Sequence, residues 1–458
     1  MDNYKQLCGS APKTFVTIQA IEPSSRPRMV AAASSAGRGP IDRRHGGLGP
    51  RVGRGLPDAV LYTPANSFAS AGVSAEGLLG IAWWCLLPYR SPLYNLHREL
   101  GANFTVFAGW EHPVDYGSVV EEHMAVRRSV GVFDLSHLGR LLVKGGGVKS
   151  LLDKLVPRRL NAQIGFIDGP TVFLNEKGGI IDDVLLYPLD SSEWLVVANA
   201  ARRDRDAAWL ERWATSLGLD ARVEDITFDT VLIAVQGPEE VRALTRIGLD
   251  ASLLSSLVRM QFVKNIETRY GRVMILSRSG WTGEDGFEIY TDPDTGERLF
   301  RALVEAGAKP CGLGARDSLR MEMGYPLVGH EIDESVSPIE ARYWMSFSYD
   351  KIVEGECVGC EQVWRRLRDG VDRVRLGLRL GKGVRAVPRQ GDKILVGDRE
   401  VGVVTSGAYS PILKRGIGQV YVETSHALPG LRVVVERGRR RVEGKLVDFP
   451  FITPSSGG

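Results

Sequence analysis

The chain has 458 residues, 43% apolar and 25% charged, an ordinary globular composition that at roughly 100–200 residues per domain corresponds to two to four domains. Its net charge of +3 is unevenly placed: residues 1–88 carry nine Lys and Arg side chains against five Asp and Glu, which leaves the other 370 residues at −1. A near-neutral body argues against a nucleic-acid enzyme, which needs a basic groove to neutralise phosphates. Five cysteines are too few for a disulfide scaffold, and the longest apolar run, Leu78 to Leu87, is ten residues, short of the roughly 20 that span a bilayer. With no charged start leading into an apolar segment, the expectation is a soluble, cytoplasmic protein with no membrane partner.

From Glu22 to about Pro57 the sequence mixes Pro, Ser, Gly, Ala and Arg without sustained periodicity, so residues 1–88 are expected to be disordered or to be sequence upstream of the true start. Past Ser91 the texture changes. Ser118 and Glu121 form a capping box that opens a helix carrying Val120, Met124 and Val130, with Gly131 as its stop. Short strands follow at LGRLLVKG, TVFL, IIDDVLLYPL and EWLVVANA, separated by turns such as NEKGG that are too short for crossovers. A helix over Arg202–Leu217 ends at Gly218, and strands VLIAVQG, VMILSRSG and FEIY come next. Helical pattern returns over Leu299–Ala306 and Arg316–Met323, the latter stopped by Gly324, and from about Val374 short strands and Gly turns suggest a small β-barrel or sandwich. The whole is α+β with mostly antiparallel sheets.

Three segments carry candidate chemistry. In IIDDVLLY, period-two alternation puts Asp182 on the face of Ile180, Val184 and Leu186, and Asp183 on the face of Ile181, Leu185 and Tyr187. Both faces are apolar, so at least one aspartate enters an environment where an ionised carboxylate is costly unless paired or used; the alternative is an Asp that hydrogen-bonds the adjacent turn. In SRSGWTGEDGFEIY, Trp281 sits between glycines at a strand end and Glu288 lies inside the next strand. In GARDSLRMEMGY, Arg316 and Arg320 share a helix face one turn apart, suited to a carboxylate or an acceptor-rich ring, or else solvated beside Asp317. Cys357 and Cys360 form one C-x-x-C, without the second pair a zinc site wants, which leaves a local disulfide, a redox pair or coincidence. The seven histidines show no metal-binding spacing, and no P-loop, dinucleotide fingerprint or nucleophile elbow is present, so no metal is expected.

Taken together, the run from SPLYNLHRELG to GRLLVKG, then NEKGGIIDDVLLY, LIAVQGPEE, SGWTGEDGFEIY, CGLGARDSLRMEMGYPLVGHEIDESVSPIEA and VGVVTSGAYSPILKRGIGQVYV, closely resembles the T-protein, or aminomethyltransferase, family of the glycine cleavage system. The resemblance is collinear from about Ser91 to about Phe451. It implies a three-domain cloverleaf around a central folate pocket, with a folate-binding region over residues 89–346, a connecting segment over 347–372 and a C-terminal β-barrel over 373–458. It further implies transfer of the one-carbon unit from the aminomethyl-lipoyl arm of H-protein to tetrahydrofolate, a co-substrate, with no tightly bound cofactor. By the family's motifs Asp182 would be the essential carboxylate, Glu288 would hydrogen-bond the pterin, and Trp281, Arg316 and Tyr325 would line the folate site. Folate-dependent demethylases of the same fold and a folate-binding iron–sulfur assembly factor are the alternatives, and the intact GGIIDD and GARDSLRMEMGYPLVGHEID segments favour the aminomethyltransferase.

Overall fold

The computed structural model describes residues 87–453. The expectation for residues 1–88 therefore falls, apart from its last two, outside the described residues. Within them the chain is α+β, with a three-stranded, a five-stranded and a six-stranded sheet followed by a closed six-stranded barrel.

The five-stranded sheet runs, edge to edge, Asp168–Leu174, Ile180–Pro188, Glu193–Ala198, Gly139–Lys144 and Arg222–Asp225, every pairing antiparallel. Its first hairpin forms because Asn175 Oδ1 accepts from the backbone N–H of Lys177 and of Gly179, and Gly178 takes the left-handed φ of 75° that this turn needs. The helix Arg203–Leu217 covers one face, ending at Gly218 with φ 63° as its sequence indicated. Its buried residues Asp206, Trp209, Leu210 and Ala214 recur at helical spacing. All but the aspartate join the core formed with Val184, Leu186, Val196 and Leu141.

The six-stranded sheet has the order Phe262–Thr268, Gly271–Ser277, Gly286–Thr291, Val231–Gln236, Gly131–Asp134 and Lys309–Cys311. Its last pairing is parallel, as is that of Tyr89–Arg90 with Trp110–Glu111 in the three-stranded sheet. The helix expected to stop at Gly131 spans Val119–Arg128 and is capped at Ser129, while Gly131 opens a strand. A Cβ there would lie 2.5 Å from Val126 Cγ2 and 2.8 Å from Cys311 Sγ, so this glycine serves close packing rather than helix termination. The helix expected over Leu299–Ala306 starts six residues earlier and spans Pro293–Glu305, because Asp292 caps the Thr295 N–H at 2.9 Å and Pro293 fits the first turn.

The barrel closes as Arg373–Leu380, Arg415–Glu423, Arg399–Ser410, Lys393–Val396, Arg432–Arg437 and Arg440–Val447, the last pairing with the first. Buried polar contacts tie it to the helix Leu313–Met323: Arg320 bonds Glu331 at 2.9 Å and Ser406 at 3.1 Å, while Arg375 donates to the carbonyls of Gly324 and Ala341, each at 2.7 Å. Gly324 ends that helix with φ 71°, and a Cβ on it would lie 2.1 Å from Cδ1 of Phe449, whose ring also receives the Arg375 guanidinium at 4.7 Å. Gly324→Ala is expected to destabilise the fold by about 1–3 kcal/mol through strain and overpacking. Thermal unfolding of the variant checks this; an unchanged Tm would contradict the packing described.

Candidate functional site

The strand Ile180–Pro188 is the element on which the site is built. Alternation sends its two aspartates to opposite faces of the sheet, and their accessibility differs: Asp182 is 0% exposed, whereas Asp183 is half-buried. Asp182 lies on the side of the helix Arg203–Leu217. Both its oxygens are occupied by Asn199, whose backbone N–H donates to Oδ2 at 2.8 Å and whose side-chain Nδ2 donates to Oδ1 at 2.9 Å. The same Nδ2 reaches Asp183 Oδ1 at 2.7 Å and the Asp183 carbonyl at 3.2 Å, so one amide clamps both carboxyls.

Asp183 lies on the side where the sheets meet the helix Leu313–Met323. Tyr343 donates its hydroxyl to Asp183 Oδ2 at 3.3 Å, and the Arg316 guanidinium is within electrostatic reach of both Asp183 and Glu288. Desolvation first, and the neighbouring Asp182 charge second, push the Asp183 carboxyl up to about 7. Glu288, 6% exposed on the strand Gly286–Thr291, accepts from Ser279 Oγ at 2.6 Å. Ser279 continues through Ser277 at 2.8 Å toward Tyr187 at 3.3 Å, a relay of hydroxyls crossing from one sheet to the other. Burial holds the Glu288 carboxyl above the usual range, opposed by the Ser279 bond and by Arg316.

The sequence left open which arginine of the helix Leu313–Met323 is available. Arg320 is spent on Asp317, Glu331, the Tyr325 carbonyl and Ser406. Arg316 is half-buried, and no hydrogen bond or ion pair from the described residues engages it. Trp281 and Tyr325, both half-buried, pack with ring centroids 4.6 Å apart. Tyr325 is within electrostatic reach of Tyr343 and so joins the aromatic pair to the Asp183 side. Of the five candidate residues, four thus gather with Asp183: Glu288, Arg316, Trp281 and Tyr325. Asp182 is excluded from this group by the strand's pleat.

Sequence reasoning named Asp183 beside Asp182 but gave the role to Asp182, and it missed Asn199, Tyr343 and Asp206 as members of the constellation. Asp206 had a usable signal: it shares the 3–4-residue spacing of Trp209, Leu210 and Trp213, which places an acid on a buried stripe. Tyr343 had none, because its partner Asp183 lies 160 residues away, and Asn199, just past the neighbouring strand, carries no pattern that marks it. Cys357 and Cys360 are joined as a disulfide at the start of the helix Cys360–Asp369, in the hydrophobic cluster that also holds Tyr343.

This arrangement of three sheets and a barrel is that of the glycine cleavage T-protein: residues 93–351 match the GCVT N-terminal domain family, and residues 373–452 match the glycine cleavage T-protein C-terminal barrel domain family. The chain is 40% identical over 373 residues to a probable aminomethyltransferase of Aeropyrum pernix, covering 81% of this chain and 99% of the relative. It is also 40% identical over 364 residues to the aminomethyltransferase of Thermus thermophilus, covering 79% and 99%. Among solved structures it resembles the glycine cleavage system aminomethyltransferase T of Bartonella henselae, with a TM-score of 0.73 and 30% identity over 81% of this chain and 99% of that one. The chain belongs to the aminomethyltransferase family.

A carboxyl raised from 3.8 to about 7 on folding stabilises the fold fully below pH 3.8, and that stability is lost as pH rises through 7. Asp183→Asn removes this loss. Its Tm relative to the parent is therefore expected to be higher at pH 8 than at pH 4, and a difference of the opposite sign would place the Asp183 carboxyl in a charge-stabilising environment instead.

Proposed function

We propose that the chain transfers the one-carbon unit of an aminomethyl group, carried on the lipoyl arm of H-protein, to tetrahydrofolate, giving 5,10-methylenetetrahydrofolate, ammonia and the dihydrolipoyl protein. The observation that carries this reading is the convergence of a half-buried carboxyl near neutrality, a buried glutamate, an arginine that no hydrogen bond from the described residues engages and an aromatic pair on one side of the sheet. Family membership supplies the reaction class. Folate enters as co-substrate, and no tightly bound cofactor takes part.

These residue types suit the two substrates. A pterin is a flat ring with donors along one edge; Trp281 and Tyr325 offer it apolar surface, and Glu288 offers an acceptor. Arg316 suits the acceptor atoms or carboxylates of folate. In the reaction the donor carbon, bonded to sulfur and to an ammonium nitrogen, loses ammonia and its bond to sulfur as folate N5 and then N10 bond to it. Folate gives up two protons; one goes to the departing thiolate and the other to the departing ammonia. The protein supplies no nucleophile. Its part is to hold N5 beside the donor carbon, to favour the cationic iminium with negative charge and to move a proton.

Asp183 fits the last two roles better than Asp182, to which the family motif pointed. It is reachable, and a carboxyl near 7 both accepts and returns a proton at neutral pH. Asp183→Asn is expected to lower ammonia release from aminomethylated, lipoylated H-protein by about 100-fold or more in the presence of tetrahydrofolate, with folate affinity changed by less than about fivefold. Near-normal turnover in that variant would overturn the assignment of the carboxylate. Release that does not depend on folate would overturn the reaction.

A further inference from the structure

Three carboxyl groups lie within one small volume around the strand Ile180–Pro188: Asp182, Asp183 and, from the first turns of the helix Arg203–Leu217, Asp206. Asp206 is 0% exposed, and neither of its oxygens receives a hydrogen bond from an N–H, amide or hydroxyl of the described residues. The cations nearest it, Arg202 and Arg205, turn instead to Glu334, at 3.8 Å and 3.3 Å. Asp206 does face Asp182, and the two can bond only if one of them carries a proton. Asp182 already accepts twice from Asn199, an arrangement that suits an anion, so the proton belongs on Asp206.

We propose that Asp206 is a positioning acid: its protonated carboxyl donates to Asp182, so that the pair behind the strand carries a single fixed negative charge. That charge, held by the Asn199 clamp one peptide away from Asp183, adds to burial in raising the pH at which the half-buried carboxyl exchanges its proton. The burial of Asp206 agrees with it. An ionised Asp206 would sit buried without a hydrogen-bond donor among the described residues and bear the full desolvation cost of a charge, whereas the shared proton removes that cost. Burial and Asp182 likewise hold the Asp206 carboxyl well above its ordinary value. The other groups facing Asp183 are Tyr343, which donates to it, and Arg316, whose positive charge opposes the effect of Asp182.

The catalytic consequence rests on the function proposed above, but the charge arrangement does not, and the test separates them. In the full chain with 13C-carboxyl-labelled aspartate, titration by NMR is expected to show one carboxyl still protonated at pH 8 that disappears in Asp206→Asn. A second, assigned through Asp183→Asn, should titrate near 7 and move down by about one pH unit or more in Asp182→Asn. It should move by less than about half a unit in Asp206→Asn, whose amide still donates to Asp182. The acid limb of turnover against pH should follow the same shifts, and Asp206→Ala should lose about tenfold or more of the rate that Asp206→Asn recovers. An Asp206 carboxyl ionised at pH 7, or an Asp183 midpoint unmoved by Asp182→Asn, would overturn the proposal. Loss of turnover in every variant with the titrations as expected would leave the arrangement standing and count against the reaction.

Discussion

The pleat of one strand governs this site. Consecutive residues of an extended chain point to opposite faces, so the pair Asp182 and Asp183 cannot both look toward a ligand. The sheet gives Asp182 to the helix-covered core and Asp183 to the junction of the two sheets, and the amide of Asn199 ties the two together. A one-residue slip of this strand would exchange the roles of the aspartates. The register is held by pairing of Leu185–Pro188 with Trp194–Val197 on one side and by the Asn175–Gly179 turn on the other. Thus the turn chemistry of NEKGG and the position of an acid in space are one and the same constraint.

The second constraint comes from the barrel. Arg320 is drawn into contacts with Glu331 and Ser406, and Tyr421 donates to the Glu331 carbonyl at 2.7 Å, so that the helix Leu313–Met323 and the barrel share a buried polar seam. One guanidinium is consumed in this seam, and its neighbour a turn earlier, Arg316, faces Asp183 and Glu288 instead. A buried ion pair of this kind adds little net stability but costs a great deal when one partner is lost, which makes it a fastener of orientation. Tyr325 follows directly, with its carbonyl held by Arg320 and by Gln419 at 2.8 Å, and its ring against Trp281.

Much of this was legible in the sequence, and the reasons are local. Strand alternation, the glycine stops at Gly218 and Gly324, and the short turns are written in neighbouring residues, and they gave the antiparallel α+β architecture and the C-terminal barrel. The segments GGIIDD, SGWTG, GFEI and GARD marked Trp281, Glu288 and Arg316, which the fold then gathers. What failed did so where non-local packing decides. Gly131 reads as a helix stop but makes room for Val126 and Cys311, a contact across 180 residues of chain. The family motif pointed to Asp182, whereas which aspartate faces the junction of the sheets depends on which side of the sheet the helix Arg203–Leu217 covers. Asn199 and Tyr343 carry no pattern that separates them from any other polar residue at a strand end or in a loop.

The proposed chemistry turns on which face of the strand Ile180–Pro188 meets tetrahydrofolate. The direct measurement is a crystal structure of the full chain with tetrahydrofolate or its 5-formyl analogue bound. The pterin is predicted to lie against Trp281 and Tyr325, within hydrogen-bond distance of Glu288, with N5 turned toward Asp183 and the remainder of the molecule toward Arg316. A pterin contacting Asp182 from the side of the helix Arg203–Leu217, or bound away from Glu288 and Asp183 altogether, would contradict it.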